Sequence, residues 1–373
     1  MKALIKKTCA TFGVAMIFSV LSAAAQEKPP IRVALVGLVH GHAGGFLRAL
    51  PQSKSAKLVA IVEPRTDIAR QYATKFQLEE KLFFTDLEKA LEEQHPDAVL
   101  VYTAIGDHRK IIEAAAKRGI HSMVEKPLST TLEDAIAIRD AARKYHVHVL
   151  VNYETTWYAS NREVYEEVAK GRLGDVRRIV VHDGHEGPRE IGVEPEFLEW
   201  LTDPVKNGAG ALFDFGCYGA DLATVLMHGR APISVSAVTQ TEKPDLYSKV
   251  DDEATVILRY PKAQAVLMPS WNWPFSRKDM EVYGVTGYAI TVGADGLRVR
   301  YKGEKTESIM SASPVPKAES NSLDYLANVL RGEIKADGDP SSLETNLVVM
   351  QILDAARRSA QAGKAVEVTK LPD

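Results

Sequence analysis

Ile31-Arg32-Val33-Ala34-Leu35-Val36-Gly37-Leu38-Val39-His40-Gly41-His42-Ala43-Gly44-Gly45 is the stretch whose reading decides the fold. The apolar, largely branched run at its start reads as a buried strand, and the glycine-rich run after it as a tight turn into a helix. Such a turn aims the free N–H groups of a helix start at an anion, as a dinucleotide-binding fold does at a pyrophosphate. The spacing departs from G-x-G-x-x-G, which needs glycine at 39 and 42, where Val39 and His42 stand. Two imidazoles, His40 and His42, therefore occupy a loop where small residues ordinarily admit the phosphates.

Outward from this turn, apolar runs alternate with helical patterns up to residue 152. Strands are expected at 31–36, 57–62, 98–102, 121–124 and 147–151, and helices at 67–76, 86–93, 108–118 and 132–145, the last with Thr131 as its N-cap. This order predicts an α/β fold whose N-terminal domain, 26–152, is a doubly wound parallel sheet of the Rossmann type. Beyond it come a helix at 161–169 and several runs with a period near two, at 177–182, 233–239, 254–260, 263–269, 279–283, 288–292 and 297–301. Helices at 323–330 and 343–360 close the chain. Residues 153–373 are accordingly expected to form an α+β domain with a largely antiparallel, open sheet that binds substrate, its bare face suited to a homo-oligomer.

The first residues carry a separate signal. Lys2, Lys6 and Lys7 precede an apolar run at 12–21, and Ser22-Ala23-Ala24-Ala25 follows. This is the pattern of a secretory signal peptide, residues 1–25, cut after Ala25, and it places the mature protein in the periplasm or outside the cell with no integral membrane segment left. The apolar run is short for a membrane anchor. A net charge of −3 and a pI near 6.4 offer no basic face. Nucleic acid and anionic membrane are thereby set aside as partners, and a small molecule is expected. Cys217 is the one cysteine left after cleavage, so no internal disulfide is available.

Two places along the first domain carry chemistry. Glu63 ends the second strand, 26 residues after Gly37, where a carboxylate accepts hydrogen bonds from an adenosine ribose and repels a 2′-phosphate. That favours NAD over NADP, with Arg65 working the other way. Glu125-Lys126-Pro127 follows the strand at 121–124, and ligands in such sheets lie outside the carboxyl ends of the strands. The Lys126 ammonium can stabilise an alkoxide or carbonyl oxygen while a neighbour moves the proton, worth on the order of a hundred- to ten-thousandfold.

Four segments, taken in order, resemble the Gfo/Idh/MocA oxidoreductases. Thr103-Ala104-Ile105-Gly106-Asp107-His108 resembles that family's Thr-Pro-x-x-x-His element, with Ala104 for the proline, and Glu125-Lys126-Pro127 matches its Glu-Lys-Pro. Gly171-Arg172-Leu173-Gly174-Asp175-Val176 looks like the turn into its second sheet. The segment from Gly208 to Asp221 is similar to its glycine-rich Asp-x-Gly-x-His-x-x-Asp, with Tyr218 for the histidine.

The resemblance implies a hydride transfer between a secondary hydroxyl of a sugar, polyol or glycoside and a nicotinamide, NAD before NADP, kept tightly bound because the protein is exported. It implies catalytic roles for Lys126, Tyr218 and Asp214, with the Lys126 ammonium lowering the Tyr218 pKa. Cofactor contacts fall to Gly37, Val39, His40, Gly41, Glu63, Thr103, His108 and Glu125, and substrate contacts to Glu154, Trp157 and Asp221. Glu154 and Thr156 stand where the family has asparagine and arginine, which suits hydroxyls and disfavours an acid substrate.

Two other chemistries are open. One is redox-neutral hydrolysis or elimination of a glycoside through a 3-keto intermediate, and the other a nicotinamide-free, metal-dependent reaction on keto-sugars. His182-Asp183-Gly184-His185-Glu186, with His40, His42 and Glu154, concentrates side chains able to hold manganese or zinc, but without a ligand spacing no metal site is assigned.

Overall fold

The computed structural model describes residues 28–372, so the signal segment and its cleavage point lie outside the described residues. The first domain runs β1 (Ile31–Val36), α1 (His42–Ala49), β2 (Ala56–Val62), α2 (Thr66–Phe76), β3 (Phe83–Phe84), α3 (Leu87–Gln94), β4 (Ala98–Val101), α4 (His108–Ala116), β5 (His121–Glu125), α5 (Leu132–Tyr145) and β6 (Val149–Asn152). The strands pair in parallel in the order β3-β2-β1-β4-β5-β6. Helices cover both faces, which is why β1 and β4 are apolar at successive positions instead of every second one: Val33, Ala34, Leu35 and Val36 are all buried. Thr131 caps α5, accepting from the Asp134 N–H at 3.1 Å, a contact worth about 1 kcal/mol. The strand order reverses between β1 and β4, and their carboxyl ends open the crevice in which such sheets bind ligands.

The second domain continues with α6 (Ala159–Ala169), β7 (Val176–Gly184), α7 (Pro195–Leu201), α8 (Pro204–Asn207), α9 (Ala211–Asp214), α10 (Gly216–Leu226), β8 (Ser234–Gln240), β9 (Glu253–Arg259), β10 (Gln264–Ser270), β11 (Arg277–Gly284), β12 (Gly287–Val292), β13 (Gly296–Tyr301), β14 (Ser308–Ser311), α11 (Ser322–Leu330), α12 (Leu343–Ala362) and β15 (Val366–Glu367). Its nine-stranded sheet has the order β14-β13-β12-β11-β7-β10-β9-β8-β15, with β7 and β10 parallel and the other pairs antiparallel. Alternation is plain in β9, where Ala254, Val256 and Leu258 are buried and Thr255, Ile257 and Arg259 are exposed. α10 and α12 lie on the inner face, α10 almost wholly buried between sheet and α12.

α11, late in the sequence, returns to the first sheet. Leu323, Tyr325, Leu326 and Val329 join the cluster of Val33, Leu35, Leu100 and Met123, each buried side chain contributing about 1.5–3 kcal/mol. Ser55 Oγ, just before β2, donates to Asp324 and ties the helix to the start of that strand. Among the described residues no helix is long and apolar enough to cross a membrane.

Candidate active site

The turn after β1 is set by Gly37. Its φ is +85°, and a Cβ there would collide with the Thr103 methyl and with backbone atoms of Tyr102 and Thr103 at 2.9 Å. β1 and the β4 loop thus cross closely, the approach a dinucleotide turn requires. Glu63 supports the loop from beneath: its oxygens accept the Leu38 N–H at 2.8 Å and the Arg65 N–H at 2.9 Å, and it is buried. Burial pushes its pKa up despite those bonds. Expected to face a ribose, the carboxylate also holds the loop in shape.

Beyond Gly37 the loop is held by contacts of its own. The His40 ring is buried, and its Nδ1 accepts the His42 N–H at 3.2 Å. The His40 carbonyl accepts the Ala43 N–H at 3.0 Å. α7 lies on top, with Phe197 and Trp200 packed on His40 at ring separations of 4.8 and 5.4 Å, and Trp200 Nε1 donates to the Val39 carbonyl at 3.2 Å. Gly41 faces Phe197 and the Glu194 carboxylate. Thr103 Oγ1 donates to the Ala104 carbonyl, and the buried His108 ring bonds through Nδ1 to the Leu128 carbonyl at 3.1 Å. His108, expected at the cofactor, therefore ties the loop after β5 to α4. Its burial lowers its pKa to about 4.

At the end of β5, Lys126 Nζ donates to the Asp214 carboxylate and, at 3.0 Å, to the Asp214 carbonyl. The other carboxylate oxygen accepts Trp271 Nε1 at 3.0 Å. Lys126 and Asp214 are each 6 % exposed, and burial alone would neutralise both. Their mutual attraction outweighs it, raising the lysine and lowering the aspartate.

Tyr218, at the start of α10, packs its ring 5.2 Å from Lys126 Nζ and 4.9 Å from Lys278 Nζ. The expected lowering of its pKa is corrected here. Burial and the nearby Glu154, Cys217, Glu125 and Asp214 push it well above 10, because Asp214 already compensates the Lys126 charge. Asp221 is a second correction. It lies fully buried on α10, its oxygens without a hydrogen-bond partner and its pKa raised, away from any surface a substrate could reach.

The crevice opens beside β6 into a groove of about 1150 Å³ between α1 and α11, whose lining includes His42, Tyr102, Asn152, Glu154 and Trp157. Lys278 links it to the buried pair, bonding Glu154 while lying over Tyr218. Glu125 is buried at its edge. One oxygen accepts Asn152 Nδ2 at 2.9 Å, and the other meets His42 Nδ1 at 3.0 Å. Although burial opposes it, the histidines and these hydrogen bonds hold the Glu125 pKa down to about 2. Trp157 Nε1 donates to Asn152 Oδ1 at 3.2 Å, which sets the indole on the groove wall.

Residues 31–153 match the oxidoreductase family with the NAD-binding Rossmann fold, and residues 161–290 match the GFO/IDH/MocA C-terminal domain. The chain belongs to the Gfo/Idh/MocA oxidoreductase family. It is an enzyme of the NAD(P)-dependent sugar and polyol oxidoreductase class. A 1,5-anhydro-D-fructose reductase of Ensifer adhaerens is 24% identical over 85% of this chain and 92% of its own. An NADP(+) scyllo-inositol 2-dehydrogenase of Bacillus subtilis is 25% identical over 88% and 96%. Among solved structures, an aldose-aldose oxidoreductase of Caulobacter crescentus shares the fold at a TM-score of 0.78, with 24% identity over 91% of this chain and all of that one.

The fold thus brings Lys126, Asp214 and Tyr218 together, with Lys278 linking them to Glu154, and Glu125 and Trp157 held nearby through Asn152. The Gly37 cradle fits a dinucleotide. His40, with α7 packed on it, lies over the loop that would hold its phosphates. His40, His42 and Glu125 place ligand atoms within 4.8 Å of one another. Because His40 Nδ1 accepts an N–H, the neutral ring carries its proton on Nε2, the atom facing Glu125 at 3.9 Å, and has no lone pair there for an ion. His182 pairs instead with Asp279 at 3.2 Å. Sequence reasoning missed Lys278, Phe197 and Trp200. Their one signal was composition, an aromatic pair before the glycine-rich segment and a charged run at a strand start.

Proposed function

We propose that this protein is an exported oxidoreductase that moves hydride between a secondary hydroxyl of a sugar, polyol or glycoside and a tightly held NAD. The observation that carries the reading is the buried Lys126–Asp214 pair against Tyr218, joined through Lys278 and Glu154 to a groove with an indole wall. A nicotinamide seated over the Gly37 turn would supply the hydride acceptor. Lys126, held by Asp214, stabilises the substrate oxygen as charge develops on it. Tyr218, a neutral phenol, donates a proton to that oxygen when a carbonyl is reduced. Glu154 accepts sugar hydroxyls, and the Trp157 face packs on a sugar's C–H surface.

NAD is favoured over NADP because the Arg65 guanidinium is drawn to Asp67 at 3.1 Å and Glu199 at 3.9 Å, so a 2′-phosphate would meet carboxylates already paired with it. α7, packed over the loop, is the clasp that keeps the cofactor in an exported enzyme. Export itself is read from residues 1–25. The bare face of the second sheet, with Val238, Ile257 and Val292 exposed, supports a homo-oligomer.

Native mass spectrometry of the protein as isolated tests the reading, with one dinucleotide per chain expected. A chain free of dinucleotide that neither oxidises scyllo-inositol nor reduces 1,5-anhydro-D-fructose with added NAD(H) would overturn it. One observation favours a second reading, acid–base chemistry on a keto-sugar without nicotinamide: the loop N–H groups of His42 and Ala43 already have partners. The same measurement separates the two.

A further inference from the structure

We propose that Asp183 is a second seat for the Lys278 ammonium, taken when a sugar occupies Glu154, so that binding the sugar expels the Asp183 proton; this rests on the reading that Glu154 accepts sugar hydroxyls. Alternation along β7 buries Ile179, Val181 and Asp183 and leaves Val180 and His182 partly exposed, which turns Asp183 to the face covered by α10. In the antiparallel register Asp183 stands directly opposite Lys278 of β11. Opposed residues leave the sheet on one face with Cβ atoms about 4.5–5.5 Å apart, well inside a lysine's reach. Tyr218 of α10, whose ring lies 4.9 Å from Lys278 Nζ, marks that face.

Asp183 is 2 % exposed, and neither of its oxygens has a hydrogen-bond partner among the described residues. A carboxylate left so would carry the full cost of its desolvation, and the protonated acid avoids most of it. The ammonium across the strand is engaged elsewhere. Lys278 bonds Glu154, which reaches the groove with its side chain 48 % exposed and also accepts Tyr158 Oη at 2.6 Å. The groups facing Asp183 are Lys278 and Asp279 from β11, Glu154 after β6, Lys126 after β5, Tyr158 before α6, and Cys217 and Asp221 from α10. Burial outweighs the two lysines and holds its pKa well above 3.8.

Sugar hydroxyls that donate to Glu154 compete with Lys278 for the same oxygens. The displaced ammonium finds at Asp183 a carboxyl with both oxygens free, and a charge-assisted bond formed away from water is stronger than one at the groove mouth. The Asp183 O–H bond breaks, its proton leaves to solvent, and the lysine stays charged throughout. Glu154 is thereby given to the sugar without leaving Lys278 unpaired. The proton of the reacting hydroxyl is a separate one and stays with Tyr218.

Calorimetric titration of the protein as isolated, in phosphate and in Tris, counts the protons released, with scyllo-inositol and D-glucose as probes. About one proton per bound sugar is expected at the maximum of a series from about pH 5 to pH 8, with affinity rising about tenfold per pH unit there. The infrared difference spectrum of the same binding step loses a protonated-carboxyl band. Asp183→Asn abolishes release and band together while still binding the sugar. Lys278→Met abolishes release with Asp183 in place, since no ammonium comes to it. Binding, seen as heat and as a shift of the Trp157 indole N–H, with neither release nor loss of the band overturns the handover while the sugar reading stands. Release that survives in Asp183→Asn overturns the assignment to that carboxyl. Absence of binding with both probes overturns the sugar reading and the proposal with it.

Discussion

Above β1 and β4 the polar groups that would meet a cofactor's phosphates already have partners in the chain: Glu63 with Leu38 and Arg65, His40 with His42, Trp200 with Val39. Above β5 and β6 the same crevice keeps charge in play. A buried ion pair and a lysine shared between a carboxylate and a phenol ring lie behind Glu154, and His42, paired with Glu125, lines the groove beside it. The first region is a settled scaffold and the second a loaded site. The difference shows that neighbouring ends of one sheet can be built differently, one closed on its own contacts and the other holding paired charge. Here His40 serves the scaffold and His42 the site, two residues apart.

The comparison breaks most visibly at the ion pair. Lys126→Met leaves Asp214 buried and uncompensated, with an expected loss of about 3–5 kcal/mol in denaturant unfolding. Turnover falls a hundredfold or more. The double change Lys126→Met with Asp214→Leu should recover much of that stability and none of the activity. If the single change cost nothing, the pair would not be carrying buried charge.

At the scaffold end, Gly37→Ala adds a methyl into Thr103 at a positive φ, with a penalty of about 3 kcal/mol and loss of any bound dinucleotide. A variant with unchanged melting temperature and cofactor content would mean the turn is not the rigid element described. Both regions meet in Glu125. Its folded pKa is depressed from 4.5 to about 2, so its contribution to stability is complete above about 4.5 and is lost as pH falls toward 2. Glu125→Gln should flatten the acid limb of the stability profile over that window. An unaltered limb would place the acid sensitivity elsewhere.

How much of this was legible follows from how local each cause is. β1 and its glycine turn showed themselves because an apolar run and a conformational demand sit side by side, and β9 because a half-covered sheet imposes a period of two. β3 is two residues long and has no period to read. The cover of α7 on the loop joins Trp200 to Val39 across 161 positions, and nothing in either neighbourhood announces it. Tyr218 was placed at the site by its motif but given the wrong acidity, since a lysine's effect was judged without the aspartate that balances it. Asp221 was misplaced for a related reason: a motif position records order along a helix, not depth.

That depth yields the smallest effect and the sharpest contrast. Asp183 and Asp221 are both buried without hydrogen-bond partners, and both have raised pKa values. Asp183 faces Lys278, Glu154 and Lys126, so it belongs to the loaded site. Asp221, with Asp339 and Asp183 as its charged neighbours, belongs to the core. A folded pKa above the unfolded value gives stability that is present below about 3.8 and declines as pH rises toward the folded value. Asp221→Asn removes that decline, so its melting temperature should gain on the wild type more at pH 8 than at pH 4, with turnover intact. Asp183→Asn should show the same trend in stability together with a KM that departs from the wild type as pH rises and the native Asp183 ionises beside Lys278. If Asp221→Asn also altered KM, the line drawn between core and site along α10 would be wrong.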